Sequence, residues 1–264
     1  MNLLQLVSEP YDRQARLYPA LLCLSPLVVT GVTSLAGRVS LSESFVGGLA
    51  VLGGAFLLAQ LARDGGKKRE PSLFAGWGGI PSVGIFRHRD ARVDAITKAR
   101  YHEKLSKLVA GAKAPSVADE DSDPVAADAV YLAWSTFVRT HARDAKKFAL
   151  LLKENISYGY RRNLLGLRPL GIGIALVSMV MSGFHLYRLR ESGGEVNASI
   201  AIALVFAIVM LCLWIFRFNV EWVRVPADAY AERLAEAVDS LTDSAPKPAA
   251  MKTAPKKAPD GAQG

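Results

Sequence analysis

Long apolar runs without charged residues alternate with strongly polar stretches along the chain. Four such runs cover residues 17–37, 44–62, 169–187 and 197–216. Each approaches the roughly 20 residues that an α-helix needs to cross a bilayer. A single run of this kind could be a buried core helix, but four runs in two close pairs favour a membrane protein. The pattern therefore predicts a mainly α-helical fold with four transmembrane helices arranged as two hairpins.

The first apolar run has one feature of a cleaved signal peptide, because Arg13 and Arg16 precede it. The run is long for a signal peptide, however, and a second apolar run follows after a short gap. A hairpin of two membrane helices explains this spacing better than secretion does.

Lysine and arginine are distributed unevenly between the two sides of the predicted hairpins. The two short connections contain only Arg38, Arg188 and Arg190, and every other lysine and arginine lies on the opposite side. Cytoplasmic segments near membrane helices carry an excess of these residues. Both termini and the central segment are therefore predicted to be cytoplasmic, and the predicted location is the inner membrane of the cell.

The apolar runs divide the chain into six segments. These are a cytoplasmic N-terminus (1–16), a transmembrane hairpin (17–62), a basic cytoplasmic domain (63–168), a second hairpin (169–216), a cytoplasmic helix (217–241) and a disordered tail (242–264). The tail is rich in alanine, proline and lysine, so it cannot bury enough apolar surface to fold.

Helical periodicity and capping signals predict mostly helices outside the membrane. Residues 94–110 form one helix. A long amphipathic helix begins at Pro124, after the N-cap Asp123, and continues to about residue 155. Its apolar stripe suits either a domain core or a contact between subunits. A further helix within residues 219–241 is predicted to pack on the central domain.

The opening of the central domain is rich in glycine and less regular. Residues 80–86 are compatible with a short strand, which Pro81 confines to a sheet edge or a strand start. The predicted fold class is thus a mainly α membrane protein whose two hairpins surround a mostly helical cytoplasmic domain with one short strand.

Catalytic and metal-binding motifs are not recognisable in the sequence. His88-Arg89-Asp90 matches the catalytic triplet of protein kinases, but Ala95 stands where the metal-binding asparagine should be. The histidines lack metal-ligand spacing, and Cys23 and Cys212 fall inside apolar runs, where they are small apolar residues. We therefore predict a non-enzymatic protein without catalytic residues, metal or cofactor.

Basic residues outnumber acidic ones in the central domain, with 20 Lys and Arg against 12 Asp and Glu over residues 63–168. Two basic rows and a stretch of mixed tyrosine and arginine supply the candidate ligand-binding residues. These are Arg100, Lys104, Lys107, Arg139, Arg143, Lys146, Tyr158, Tyr160, Arg161 and Arg162. Basic groups attract phosphates and aromatic rings stack on bases, so a single-stranded nucleic acid or nucleotide is the predicted ligand. A solvated helix face explains the row of Arg100, Lys104 and Lys107 equally well, and lipid headgroups are the preferred partner of residues 154–169.

Small residues form a seam on the third apolar run at helical spacing. The seam consists of Gly171, Ala175, Ser178 and Ser182. Small residues let helices approach closely in lipid, so helix packing explains the seam. The alternative is that the serine hydroxyls face water in an oligomeric pore. The runs contain no charged residue, which disfavours proton-coupled transport.

Three polar segments carry a resemblance to a known family. They read GWGGIPSVGIFRHRD (76–90), KARYHEKL (98–105) and YGYRRNLLGLRP (158–169). Together with the two hairpins, they resemble multi-span membrane effectors of bacterial antiphage systems, in particular the membrane partner of the nucleotidyltransferase in Hailong-type defence. The resemblance covers most of residues 1–241. It implies a homo-oligomeric channel, controlled by a nucleic acid or nucleotide and partnered with a nucleotidyltransferase, whose opening depolarises an infected cell.

Three function hypotheses follow. The first is an oligomeric membrane effector that conducts ions and is gated by an anionic ligand in antiviral defence. The second is a membrane-anchored scaffold or adaptor in which the helix over residues 125–155 recruits a cytoplasmic protein. The third is an enzyme at the lipid interface, and no spacing of catalytic residues in the sequence supports it.

Overall fold

A computed structural model of the protein describes residues 3–35, 40–193 and 198–241, and every regular element in them is helical. The helices are α1 (Leu3–Ser8), α2 (Pro10–Asp12), α3 (Tyr18–Leu35), α4 (Leu41–Gly76), α5 (Pro81–Gly84), α6 (Ala95–Leu108), α7 (Val117–Ser122), α8 (Pro124–His141), α9 (Ala149–Glu191), α10 (Ala198–Cys212) and α11 (Val220–Ala237). Two π-helical segments, Arg13–Leu17 and Leu213–Arg217, adjoin α3 and α10, and a 3-10 turn, Val238–Ser240, follows α11.

Four helices in the described residues are long and apolar enough to cross a membrane. They are Pro10–Leu35, Ser42–Gly76, Ala149–Glu191 and Ala198–Arg217. The predictions of a mainly helical fold and of four helices long and apolar enough to span a membrane are confirmed. Arg38, which entered the prediction of orientation, and the tail predicted to be disordered lie outside the described residues.

The central helix of the membrane region is α9, which contacts α3, α4 and α10. The seam residues Gly171, Ala175, Ser178 and Ser182 are all buried within the single chain. A Cβ atom on Gly171 would overlap the indole of Trp214. The Ser182 hydroxyl lies 3.1 Å from the Thr30 hydroxyl of α3, and Ser178 donates to the carbonyl of Ile174. In the single chain the seam therefore packs helices together.

Two of the membrane helices extend far beyond the apolar runs. The 43 residues of α9 correspond to about 64 Å of helix, roughly twice the hydrocarbon thickness of a bilayer. At the polar end of the runs, α9 also approaches α4 closely, since a Cβ atom on Gly166 would overlap the backbone of Gly66. One uninterrupted helix thus connects the membrane region to the polar part of the chain.

A separate hydrophobic core lies outside the apolar helices. The region that contains it comprises residues 77–148, residues 220–241 and the first turns of α9, and we call this region the head. Trp134 and Tyr131 of α8 are fully buried there, together with Leu105 of α6 and Leu234 of α11. The ring of Phe86 meets Trp134 edge-on at 6.1 Å between centroids. The predicted packing of the last helix on the central domain is therefore confirmed.

Local capping chemistry sets the starts of the head helices. The Asp94 carboxylate accepts from the Thr97 amide at the start of α6. Asp123 accepts from the Ala126 amide at the start of α8, with Pro124 in the first helical position. Such caps satisfy amides that have no partner in the helix, and they therefore determine where each helix begins. Both starts agree with the sequence-based predictions.

The predicted strand over residues 80–86 is wrong. Ile80 is extended, and Pro81 begins the short helix α5, whose amides at Val83 and Gly84 donate to the Ile80 carbonyl. Proline suits the first turn of a helix, where its missing N–H costs nothing. The extended residue before it is therefore a helix N-cap.

The predicted single helix from Pro124 to about residue 155 is also wrong. Helix α8 ends at His141, the chain turns, and α9 begins at Ala149. In the turn, the Asp144 carboxylate accepts from the amides of Lys146 and Lys147 at 2.8 and 3.1 Å. The apolar stripe continues through the break because both helices bury their apolar faces in the same core.

Candidate anionic-ligand site

The turn between α8 and α9 forms one wall of a cleft, and α11 forms another. The cleft has a volume of about 280 Å³, just below the usual range for small-molecule sites, which begins at about 300 Å³. Its lining residues are Arg139, Ala142, Arg143, Asp144, Ala145, Phe148, Leu151, Leu152, Asn155 and Tyr230. Since Asn155 precedes Arg168 by 13 residues, the cleft lies about 20 Å along α9 from the end of the apolar run.

Two arginines give the cleft its positive charge. Arg139 lies in the last turn of α8 and Arg143 in the turn that follows, and both are exposed. Within the described residues, neither side chain forms an ion pair or a hydrogen bond. The two guanidinium groups are therefore available to bind a phosphate in bidentate geometry.

Aromatic and apolar side chains also line the cleft. Tyr230 and Phe148 are partly buried, and Leu151 is buried. Burial raises the pKa of Tyr230, while the nearby charge of Arg139 acts in the opposite direction. The phenol therefore stays neutral at physiological pH and provides a flat ring on which a base could stack.

One carboxylate, that of Asp144, also lines the cleft. Hydrogen bonds from the amides of Lys147 and Lys146 lower its pKa, so it remains ionised. This carboxylate holds the turn in place and offsets part of the positive charge. Lys146 is exposed and is not among the lining residues, and Lys147 donates to the Ser240 carbonyl at 2.9 Å.

The basic row predicted from Arg139, Arg143 and Lys146 is not a helical row. Only Arg139 lies on a helix, because α8 ends before the other two residues. The structure nevertheless brings Arg139 and Arg143 into one cleft. Neither Tyr230 nor Phe148 was among the candidate ligand-binding residues, and no local signal places a residue of α11 beside this turn.

The second predicted row, on α6, is largely paired within the head. Arg100 lies 2.9 Å from the Asp239 carboxylate, and Lys104 donates to the Asp239 carbonyl at 3.0 Å. Lys107 pairs with Glu103 one turn away at 2.6 Å. The two contacts with Asp239 attach α6 to the 3-10 turn that follows α11. All three pairs leave the row with less free charge than the cleft arginines.

The tyrosine and arginine stretch within α9 divides into two pairs. Tyr158 and Arg162 turn into the protein, where the Arg162 guanidinium lies 2.5 Å from Glu70 and Tyr158 donates to the same carboxylate at 3.2 Å. Tyr160 and Arg161 face α11 instead, against Trp222. The four side chains therefore do not form one site.

A second polar cleft of about 160 Å³ lies beside Trp77 and α5. Its arginines are already paired with acids of the head. Arg87 lies 2.6 Å from Asp128, and Arg92 lies 2.6 Å from Asp90 and 2.7 Å from Asp228. Because these charges are neutralised internally, this cleft is a weaker candidate for an anionic ligand.

In the part of the chain that the structure describes, no group of three or more His, Cys, Asp or Glu side chains could hold a metal ion. Comparison with protein-family models, curated proteins and solved structures gave no match for the chain.

Proposed function

We propose that the protein is a membrane effector that binds an anionic ligand in the cleft of Arg139, Arg143 and Tyr230. The ligand class is a nucleotide or the end of a single-stranded nucleic acid. In this proposal the chain forms two membrane hairpins in the inner membrane, with the head and both termini in the cytoplasm, as the distribution of Lys and Arg favours.

One observation carries the proposal. Two arginines without an ion pair in the described residues share a cleft with a partly buried tyrosine. Guanidinium groups bind phosphate, and an aromatic ring accepts a base without requiring a particular sequence. The combination suits a ligand that has both a phosphate and a flat ring.

The position of the cleft explains how binding would reach the membrane. The lining residues Leu151, Leu152 and Asn155 belong to α9, which continues without a break as the third membrane helix. A ligand that binds one arrangement of α8, α9 and α11 better than another shifts the population toward it. We propose that this shift moves α9 against α3 and α10 and changes ion conduction.

We place the conduction path between copies of the chain, because the small-residue seam of α9 is already filled within one copy. The first turns of α4 leave room for such a contact, since nothing lies within 4 Å of a Cβ atom placed on Gly47, Gly48 or Gly53. Small residues permit close helix contacts in lipid.

The proposed role in antiviral defence, with a nucleotidyltransferase as partner, rests on the resemblance of the sequence. The adaptor hypothesis depended on one helix over residues 125–155, and that helix is interrupted.

Binding to the cleft is tested by neutralising its arginines in the full-length protein in detergent. We expect R139Q/R143Q to weaken binding of a fluorescent single-stranded oligonucleotide at least tenfold, since two charged hydrogen bonds are lost. The slope of affinity against salt should also fall by about one unit per lost phosphate contact.

The matched control is K146Q, which removes a neighbouring exposed charge outside the cleft. This variant should bind within about twofold of the wild type. Equal binding by R139Q/R143Q and the wild type, or an equal loss in K146Q, would rule out the cleft as the ligand site.

A further inference from the structure

Three arginines converge where α10 ends and α11 begins. Arg168 of α9 donates to the carbonyls of Trp214 and Ile215 at 3.0 and 2.8 Å. Arg161, two turns earlier on α9, donates to the carbonyl of Trp222 at 2.9 Å. The third, Arg217, is the last residue of the apolar helix that ends here.

Two of these arginines share one aromatic ring. The guanidinium carbons of Arg161 and Arg217 lie 4.9 and 5.0 Å from the centroid of the Trp222 ring. Both distances fall within the range of cation–π contacts, which is about 6 Å. Trp222 therefore holds two like charges close together.

In the described residues, no carboxylate lies within ion-pair distance of Arg161, Arg168 or Arg217. The Glu154 carboxylate acts on Arg161 only through a longer-range electrostatic attraction, and Glu221, the sequence neighbour of Trp222, is exposed. By contrast, the arginines of the polar cleft beside α5 are paired with aspartates. Two adjacent guanidinium groups repel each other, so a bound anion would stabilise their arrangement.

The surroundings of the arginines are those of a membrane–water boundary. Phe216 is 73% exposed beside Arg217, and Val225 is 62% exposed on the first turns of α11. Exposed apolar side chains next to arginines and a tryptophan are typical of the interface between hydrocarbon and headgroups. An anion at this place would be attached to an apolar chain.

We propose that Arg161, Arg168, Arg217 and Trp222 bind the phosphate of an anionic phospholipid in the leaflet nearest the head. The guanidinium groups of Arg161 and Arg217 contact the phosphate. The acyl chains lie along the apolar surface that includes Ile215 and Phe216. This site is separate from the cleft at Arg139 and Arg143, and it does not depend on the function proposed for that cleft.

The test uses full-length protein in detergent, titrated with phosphatidylglycerol or with phosphatidylcholine of the same acyl chains. Native mass spectrometry counts the lipids bound to each protein molecule. We expect tighter binding of phosphatidylglycerol by the wild type and about fivefold weaker binding by R217Q, the loss typical of one basic residue near an anionic surface. R161Q/R217Q should lose the preference for phosphatidylglycerol.

The control variant K68Q removes an exposed lysine of α4 that forms no ring contact in the described residues, and it should bind as the wild type does. Arg217 forms no side-chain hydrogen bond in the described residues, so R217Q is expected to fold. This variant therefore tests lipid binding even if R161Q/R217Q fails to fold. Unchanged binding in R217Q, or an equal loss in K68Q, would overturn the proposal. Competition by millimolar inorganic phosphate would assign the arginines to a soluble anion and would overturn the lipid assignment.

Discussion

Arg162 has a charge that is almost fully enclosed, with only 5% of its side chain exposed. Glu70 of α4 lies 2.5 Å away, and the Asn163 side-chain oxygen accepts from two further guanidinium nitrogens. The Tyr158 ring lies 5.4 Å from the guanidinium carbon. A buried charge is tolerated when it is paired and hydrogen-bonded, so these contacts fix α4 against α9.

Removal of Glu70 should therefore destabilise the protein strongly. The change E70A leaves the Arg162 charge buried without its partner, and such changes cost about 3–5 kcal/mol. The control K67A removes a lysine that pairs with Glu70 from an exposed position, and it should cost less than about 1 kcal/mol. Thermal unfolding in detergent measures both, and equal melting temperatures for the two variants would contradict the buried-pair interpretation.

Glycine is required at position 171 for a different reason, the close approach of α9 to the π-helical segment that follows α10. We expect G171A to lower the stability by about 1–3 kcal/mol, because the added methyl group overlaps the buried Trp214 indole. The control G173A lies two residues away, where nothing lies within 4 Å of a Cβ atom. That variant should be as stable as the wild type or slightly more so. Equal loss in both variants would show that helix flexibility, rather than contact with Trp214, explains the glycine.

At the scale of elements, polar side chains of α9 donate hydrogen bonds to both π-helical segments, Arg13–Leu17 and Leu213–Arg217. Asn163 donates to the Ala15 carbonyl of the first segment at 2.6 Å. Arg168 donates to the Trp214 and Ile215 carbonyls of the second. A π turn alters the backbone hydrogen-bond pattern, and backbone groups near lipid need partners within the protein. Helix α9 thus supplies these partners at the polar end of the membrane region.

The elements that sequence alone predicted correctly are those with strong local signals. Four uncharged runs fixed the membrane helices, and the caps Asp94 and Asp123 fixed two helix starts. The break after His141 was missed because a turn between two helices that share a core leaves the apolar periodicity intact. The strand at residues 80–86 was misassigned because an extended residue before proline is equally a helix N-cap.

The candidate cleft could be predicted only in part, for a similar reason. Arg139 and Arg143 were identified as members of a basic row, from their charge and spacing. Tyr230 reaches them through the packing of α11 on α9, a long-range contact that no local pattern records. The same limit applies to Arg100, whose partner Asp239 lies at the far end of the chain.

For the whole molecule, the exposed face of α4 that contains Gly47 bears on how a channel would assemble. A Cβ atom on Gly47 meets nothing within 4 Å, so a large side chain at this position fits the single chain. If copies of the chain meet through this face, G47L separates them, because close packing is the main attraction between helices in lipid. We therefore expect G47L to insert into membranes as a smaller oligomer than the wild type.

Flux measurements connect this assembly to the cleft in the head. In liposomes, a single-stranded oligonucleotide should change the ion flux of the wild type. G47L should conduct little. R139Q/R143Q should assemble as the wild type does, but its ion flux should not respond to the oligonucleotide. The control G173L places leucine at another glycine with open surroundings, on α9, and should keep the wild-type oligomer and flux. Native mass spectrometry gives the oligomer size of each variant. A wild-type oligomer and flux in G47L would exclude the α4 face from assembly, and an unchanged response in R139Q/R143Q would separate conduction from the cleft.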